Sequence, residues 1–183
     1  VDTTACIEAM AVNERPREGA TVSYVAWAAS YKYDDEKNPL FRIRGASGGN
    51  LLKNKYVGKT AAATASLPAF KILLNMVLST PGARFMTLDL KNMYLQSDLV
   101  REEYVAIPIA DIPMESMTQH NLKDKVRNGR VYFRVKKAMY GLPQAGYIAQ
   151  QDLGKILRDN GFYECPARPR SFATPHATSP CPS

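Results

Sequence analysis

One carboxylate at the end of a short apolar segment is the residue best placed for chemistry. Met86-Thr-Leu-Asp-Leu90 reads as the end of a strand spanning Arg84 to Leu90, which projects Asp89. Phosphoryl transfer from a nucleoside triphosphate needs charge neutralisation and in-line positioning more than covalent help. Two magnesium ions supply both when carboxylates on a rigid element hold them. A strand-terminal Asp is more often a turn former, so Asp89 gains weight only from its surroundings. Further along, Ala138-Met-Tyr-Gly-Leu-Pro-Gln-Ala-Gly146 reads as a strand end and tight turn opening onto a helix. Gly141 permits the turn and Pro143 sets the helix start. Asp34-Asp35 offers two adjacent carboxylates, but within Tyr31-Lys-Tyr-Asp-Asp35 a solvated hairpin turn is the better reading.

The two segments resemble the palm of a reverse transcriptase of the copia-type retrotransposon family. Leu88-Asp-Leu-Lys-Asn-Met-Tyr-Leu95 is similar to the family's first palm motif, in which an aromatic follows the Asp five positions later. The resemblance implies that Asp89 and the Leu90 carbonyl bind metal. It implies that backbone N–H groups around Asn92 and Met93 face the triphosphate, and that Tyr94 lies beneath the sugar and excludes a 2′-hydroxyl. Without the motif, a core aromatic is the simpler reading of Tyr94. Tyr140-Gly-Leu-Pro-Gln-Ala-Gly146 looks like the second palm motif, which implies that Gln144 lies beside the incoming nucleotide and template base. The segments 64–75, 78–85 and 103–108 look like the family's flanking elements. Arg42-Ile-Arg44 falls where its fingers carry basic residues that reach the triphosphate. The likeness does not choose between Arg42 and Arg44, and surface charge explains either equally well.

The resemblance covers roughly residues 20 to 165 and implies RNA-directed DNA synthesis. Its implied cofactor is a pair of Mg2+ ions, and its implied partners are an RNA or DNA template with primer and deoxynucleoside triphosphates. The implied location is intracellular, cytoplasmic or nuclear, inside a virus-like particle when the element is intact. The pattern breaks after the long helix, where the family carries an Asp-Asp pair on a hairpin; beyond Asn160 the only acid is Glu164. With suitable codons, a one-base shift of frame would turn the stretch 167–180 into the family's Pro-Gly-Leu and Arg-His-containing continuation. A frameshift near residue 166 is therefore expected, and Val1 in place of an initiator Met also points to a fragment. The metal site is then expected to be incomplete and the isolated chain inactive. The alternatives are a non-catalytic basic nucleic-acid-binding fragment and a poorly folded retroelement relic.

The elements that must position these residues read as a mixed α+β chain. Strands are expected at 21–28, 40–44, 84–90, 104–107 and 130–136, and helices at 67–78 and 143–160. Ser66 is a plausible N-cap of the first helix, whose stripe Leu67, Phe70, Leu74, Val77 and Leu78 is its expected buried face. The second helix carries Ala145, Ala149, Leu153, Ile156 and Leu157 at helical spacing, with Gly161 past its end. The resemblance refines this to the fingers and partial palm of a right-hand polymerase, an antiparallel sheet packed with helices and lacking the C-terminal part of the palm. The expected organisation is a loose segment at 1–20, a fingers/palm fragment at 21–164 and an unstructured tail at 165–183.

At 183 residues, with 45% hydrophobic and 22% charged residues, the composition suits one soluble domain with a real core. The net charge of +7 makes polyanions natural partners, with solubility charge as the competing reading. Arg130, Tyr132, Arg134 and Lys136 share one face of the last strand, opposite Val131, Phe133 and Val135. That basic face either tracks a phosphate backbone or is simply solvated. Cys6, Cys165 and Cys181 are too few and scattered for a disulfide framework or zinc site, which favours a reducing compartment. The most apolar stretch, 67–78, is short and carries Lys71 and Asn75, so no membrane span is expected.

Overall fold

Alternation in the last long strand decides where the core lies. The computed structural model describes residues 6–33, 36–52, 58–62, 64–164 and 172–173. In chain order these form strand β1 (Ile7–Ala9), the hairpin strands β2 (Val22–Tyr33) and β3 (Pro39–Ser47), helices α1 (Gly49–Leu52), α2 (Leu67–Ser79) and α3 (Met93–Gln96), and strand β4 (Asp98–Pro108). Then come helix α4 (Met114–Gln119), strands β5 (Val126–Arg127) and β6 (Arg130–Lys137), helix α5 (Ala145–Asp159) and the short strands β7 (Tyr163–Glu164) and β8 (Phe172–Ala173). Val131, Phe133 and Val135 of β6 are buried with Val105 and Ile107 of β4, and Leu142 and Ala145 cover them from the start of α5. Each fully buried side chain of this size stabilises the fold by roughly 1.5–3 kcal/mol.

The main sheet runs β1-β6-β4-β2-β3, with β5 continuing the β1 edge of β6. Most pairs are antiparallel, but Val22–Tyr24 lies parallel to Tyr104–Ala106, which corrects the all-antiparallel expectation. Ile7 at one edge and Ile43 at the other line a common cleft, so the sheet curls on itself. The fold is therefore mixed α+β with a curled sheet.

Several boundaries depart from the sequence reading for identifiable reasons. Residues 84–90 form no strand, and every one of them is exposed. No described strand lies beside this segment, so its backbone has no ladder to join. Helix α2 forms where expected, capped by the Ser66 hydroxyl accepting from the Ala69 amide at 3.3 Å. Its apolar stripe is not buried, however: Leu74 and Val77 are half-buried, while Leu67, Phe70 and Leu78 are exposed. Phe70 touches only the edge of Phe85 among the described aromatic rings, with centroids 6.2 Å apart.

Within the expected loose start, Ile7–Ala9 pairs with β6, and Arg134 and Lys136 of that strand hold the Glu8 carboxylate. The hairpin strands run longer than expected, since nine consecutive cross-strand pairs join Val25–Tyr33 to Pro39–Ser47. Asp34 and Asp35 lie outside the described residues. So does most of the expected unstructured tail, although Phe172–Ala173 pairs with Tyr163–Glu164. Helix α5 starts at Ala145, after a turn at Pro143-Gln144. Among the described residues, no helix is long and apolar enough to cross a membrane.

Candidate functional site

The β2–β3 hairpin has two chemically different faces, and its register assigns them. Residues directly opposite in an antiparallel pair share a face. Ala28 opposes Arg44, Ser30 opposes Arg42 and Lys32 opposes Leu40, which gathers Lys32, Arg42 and Arg44 on one side. Trp27 opposes Gly45, Ala29 opposes Ile43 and Tyr31 opposes Phe41, so the other side is aromatic and apolar. Tyr31 and Phe41 pack with ring centroids 5.2 Å apart and stay largely exposed.

The basic side borders a cleft of about 540 Å3 lined by Lys32, Arg42, Arg44, Asp89, Leu90 and Asn92. Lys91, Tyr140, Leu40 and Phe41 also line it. Asn92 adopts the left-handed conformation, with φ 53°, one that Asn tolerates better than most residues. This bend reverses the exposed 84–90 segment into α3, where the Leu95 amide donates to the Asn92 carbonyl at 3.0 Å. The sequence-predicted residues Arg42, Arg44, Asp89, Leu90 and Asn92, from segments distant in the chain, thus meet in one place.

The other predicted residues lie elsewhere. Met93 and Tyr94 are half-buried on α3, and Tyr94 packs on Tyr140 at 5.0 Å between centroids and against the core. Gln144 is 1% exposed. Its amide donates to Glu103 Oε1 at 3.1 Å, so it braces β4 from beneath instead of facing the cleft. Burial pushes the Glu103 carboxyl above the usual carboxylate range, against the lowering influence of Arg101, Gln144 and Arg17. Gln144 Oε1 is buried with no hydrogen-bond partner.

Sequence reasoning missed Lys32, Lys91 and Tyr140 as wall residues, and Glu103 as a buried acid. Glu103 had a signal: it shares strand parity with Val105 and Ile107, the core face of β4. Lys32 had one as well, since it is two positions along the same hairpin face from Ser30, the partner of Arg42.

On the β6 face Arg130 and Lys136 are exposed, as a solvated face requires, but carboxylates hold part of its charge. Arg134 forms ion pairs with Glu14, with Glu8 at 3.3 Å and with Glu102 at 3.1 Å. Lys136 holds Glu8 at 2.9 Å, and Lys137 holds Asp98 at 2.6 Å. Arg127 stacks 4.0 Å over the Tyr132 ring and donates to the Glu14 carbonyl. The Lys136 ammonium, by hydrogen bond and charge, holds the Glu8 carboxyl below its ordinary value. Desolvation alone would lower the Arg134 pKa, but Glu102 and Glu14 more than offset it and the net shift is upward. Arg134, Lys136 and Lys137 are thus occupied by carboxylates, whereas the exposed Arg130 is in no ion pair among the described residues. Lys32, Arg42, Arg44 and Lys91 take part in no ion pair among the described residues.

As a metal centre the cleft is poor in donors. Magnesium prefers several hard oxygens, and two adjacent ions need shared carboxylates. Asp89 is the one carboxylate among the described residues on the cleft wall. No group of three acidic, His or Cys residues among the described residues could hold a metal ion. These side chains therefore do not fit a two-magnesium site. What the cleft offers is cationic: four positive side chains around one negative one, suited to a polyphosphate. No family model, curated protein or solved structure matches the chain.

Proposed function

We propose that the chain is a fingers-and-palm fragment of an RNA-directed DNA polymerase of the copia type, within a retrotransposon polyprotein. Its retained capacity is to bind a deoxynucleoside triphosphate and a primer–template, and it does not join nucleotides by itself. The observation that carries this reading is the convergence of Arg42 and Arg44 with Asp89, Leu90 and Asn92 on one cleft. The motif resemblance implies the same neighbourhood independently, from the residue types and their order in the chain. In this cleft, Arg42, Arg44, Lys32 and Lys91 neutralise a triphosphate, and the left-handed bend at Asn92 forms the wall facing them. The triphosphate is drawn by charge, so affinity falls steeply with salt.

Calorimetric titration with dTTP and Mg2+ at two salt concentrations, run beside a primer-extension assay, tests the proposal. The expected result is salt-sensitive binding without extension. Absence of dTTP binding at low salt overturns the nucleotide assignment, and measurable extension overturns the inactive one.

A second reading, a non-catalytic nucleic-acid-binding fragment, is favoured by the exposed aromatics Tyr31 and Tyr33, 71% and 72% exposed, on a hairpin that also carries Lys32, Arg42 and Arg44. Bases stack on such rings while cations track the backbone. Binding of primer–template with no response to dTTP selects that reading.

A further inference from the structure

The outer edge of β3 is an open strand edge flanked by two clefts, one richer in cations and one richer in apolar side chains, that share Arg42 and Arg44. The Ser47 amide donates to the Tyr140 carbonyl at 2.7 Å, pointing away from β2, so the Val25–Ser47 pair is not hydrogen-bonded. Alternation then turns the amides and carbonyls of Phe41, Ile43 and Gly45 outward as well. Pro39 obeys the same parity, standing where an edge strand tolerates a missing donor. No other described strand pairs with this side of β3, and no backbone hydrogen bond among the described residues reaches those three positions.

The grooves beside this edge differ. On the basic face lies the 540 Å3 cleft with Lys32, Arg42, Arg44 and Lys91 against Asp89. A second, more apolar cleft of about 280 Å3 is lined by Val25, Trp27, Ile43, Leu95, Ile107 and Met139, and Arg42 and Arg44 reach it as well. Arg42, Arg44, Asn92 and Tyr140 border both, so the two grooves meet along the edge itself.

We propose that this edge takes an extended acidic peptide as an added strand, with carboxylate and apolar side chains alternating along it. Main-chain pairing with Phe41, Ile43 and Gly45 supplies the register, and the period of two in a strand sends successive side chains into opposite clefts. Carboxylates meet Lys32, Arg42 and Arg44, which form no ion pair among the described residues, and Lys91; valine-sized side chains meet Trp27 and Ile43. Charge complementarity selects this occupant over a second copy of β3, which would bring two further arginines to an already cationic edge. Bases and sugars cannot reproduce the main-chain pairing, which sets a peptide apart from nucleic acid here.

Trp27 is the only tryptophan of the chain and is half-exposed in the apolar cleft, so its emission reports occupancy directly. The full chain, without nucleotide, is titrated with acetyl-Val-Asp-Val-Asp-Val-amide. The expected result is a saturating blue shift. The same peptide N-methylated throughout, or with Lys replacing Asp, is expected to bind more weakly by on the order of tenfold or more. Equal binding of the N-methylated peptide overturns strand addition, and equal binding of the Lys peptide overturns charge recognition. No shift at all overturns the site. A blue shift on concentrating the protein alone assigns the edge to a second copy and overturns the peptide. Because no dTTP is present, these outcomes are independent of the nucleotide reading.

Discussion

Two cationic surfaces of this chain have similar sequences and opposite states. On β6, Arg134, Lys136 and Lys137 are neutralised by Glu8, Glu14, Glu102 and Asp98. On the β2–β3 hairpin, Lys32, Arg42 and Arg44 face a cleft whose only carboxylate among the described residues is Asp89. A cation already held by carboxylates has little field left for a polyanion, and removing its partner costs stability. An unpaired cation contributes little to folding and most of its potential to a ligand. Net charge cannot make this distinction; pairing does. Arg134, Lys136 and Lys137 are therefore the structural set and the hairpin cations the binding set.

The strongest test removes Arg42 and Arg44 together. R42A/R44A is expected to lower the affinity for dTTP–Mg2+ on the order of tenfold to a hundredfold at low salt. The same double variant leaves the unfolding free energy within about 0.5 kcal/mol of the parent, as surface substitutions do. A loss of stability comparable to the loss of binding would erase the distinction between the two surfaces. Arg134→Ala makes the reciprocal case. It leaves the carboxylates of Glu8, Glu14 and Glu102 without their shared cation, so chemical denaturation should show a loss of about 2 kcal/mol. Its dTTP affinity should stay within about twofold of the parent, since it does not line the cleft. If Arg134→Ala binds dTTP as poorly as the hairpin variant, the sorting of cations is wrong.

This sorting was only half legible in the sequence. Period-two alternation placed Val131, Phe133 and Val135 in the core, and Ser66 and Gly161 marked the helix ends, because those signals are local. The partners of Arg134 come from residues 8, 14 and 102, and no local pattern announces pairings at such separations. The 84–90 segment shows the converse failure. Its composition suits a strand, but a strand exists only beside another, and none of the described strands flanks it. Arg42, Arg44, Asp89, Leu90 and Asn92 were named by motif and do share a cleft. Gln144, named the same way, is instead committed to Glu103.

Glu103 extends the comparison to a buried charge. Its folded-state pKa is raised, so the folded chain holds the proton more tightly and this group favours folding most at low pH. That contribution is lost as pH rises from the ordinary carboxylate value through the raised one. Glu103→Gln removes the charge, and its amide can donate to the unpartnered Gln144 Oε1. At neutral pH the variant should be more stable by about 1 kcal/mol. The gain should shrink toward zero near pH 4, where the native carboxyl is itself protonated; a gain that persists unchanged there would mean that packing, not charge, is responsible.

Glu8 gives the smallest effect and the sharpest sign. Lys136 and Arg134 depress its pKa, so its contribution is present above the ordinary carboxylate value and disappears as pH falls through the depressed one. The side chain is 55% exposed, and solvent screens the pair. Glu8→Gln should therefore cost only about 0.3–0.5 kcal/mol at pH 7. The cost should fade toward pH 3 and also in concentrated salt, the opposite pH trend from Glu103→Gln. Denaturation curves of both variants across that range separate the two kinds of carboxylate. Parallel trends would mean that the β6 pairs are ornamental, and that β1 is held to the sheet by its main-chain ladder alone.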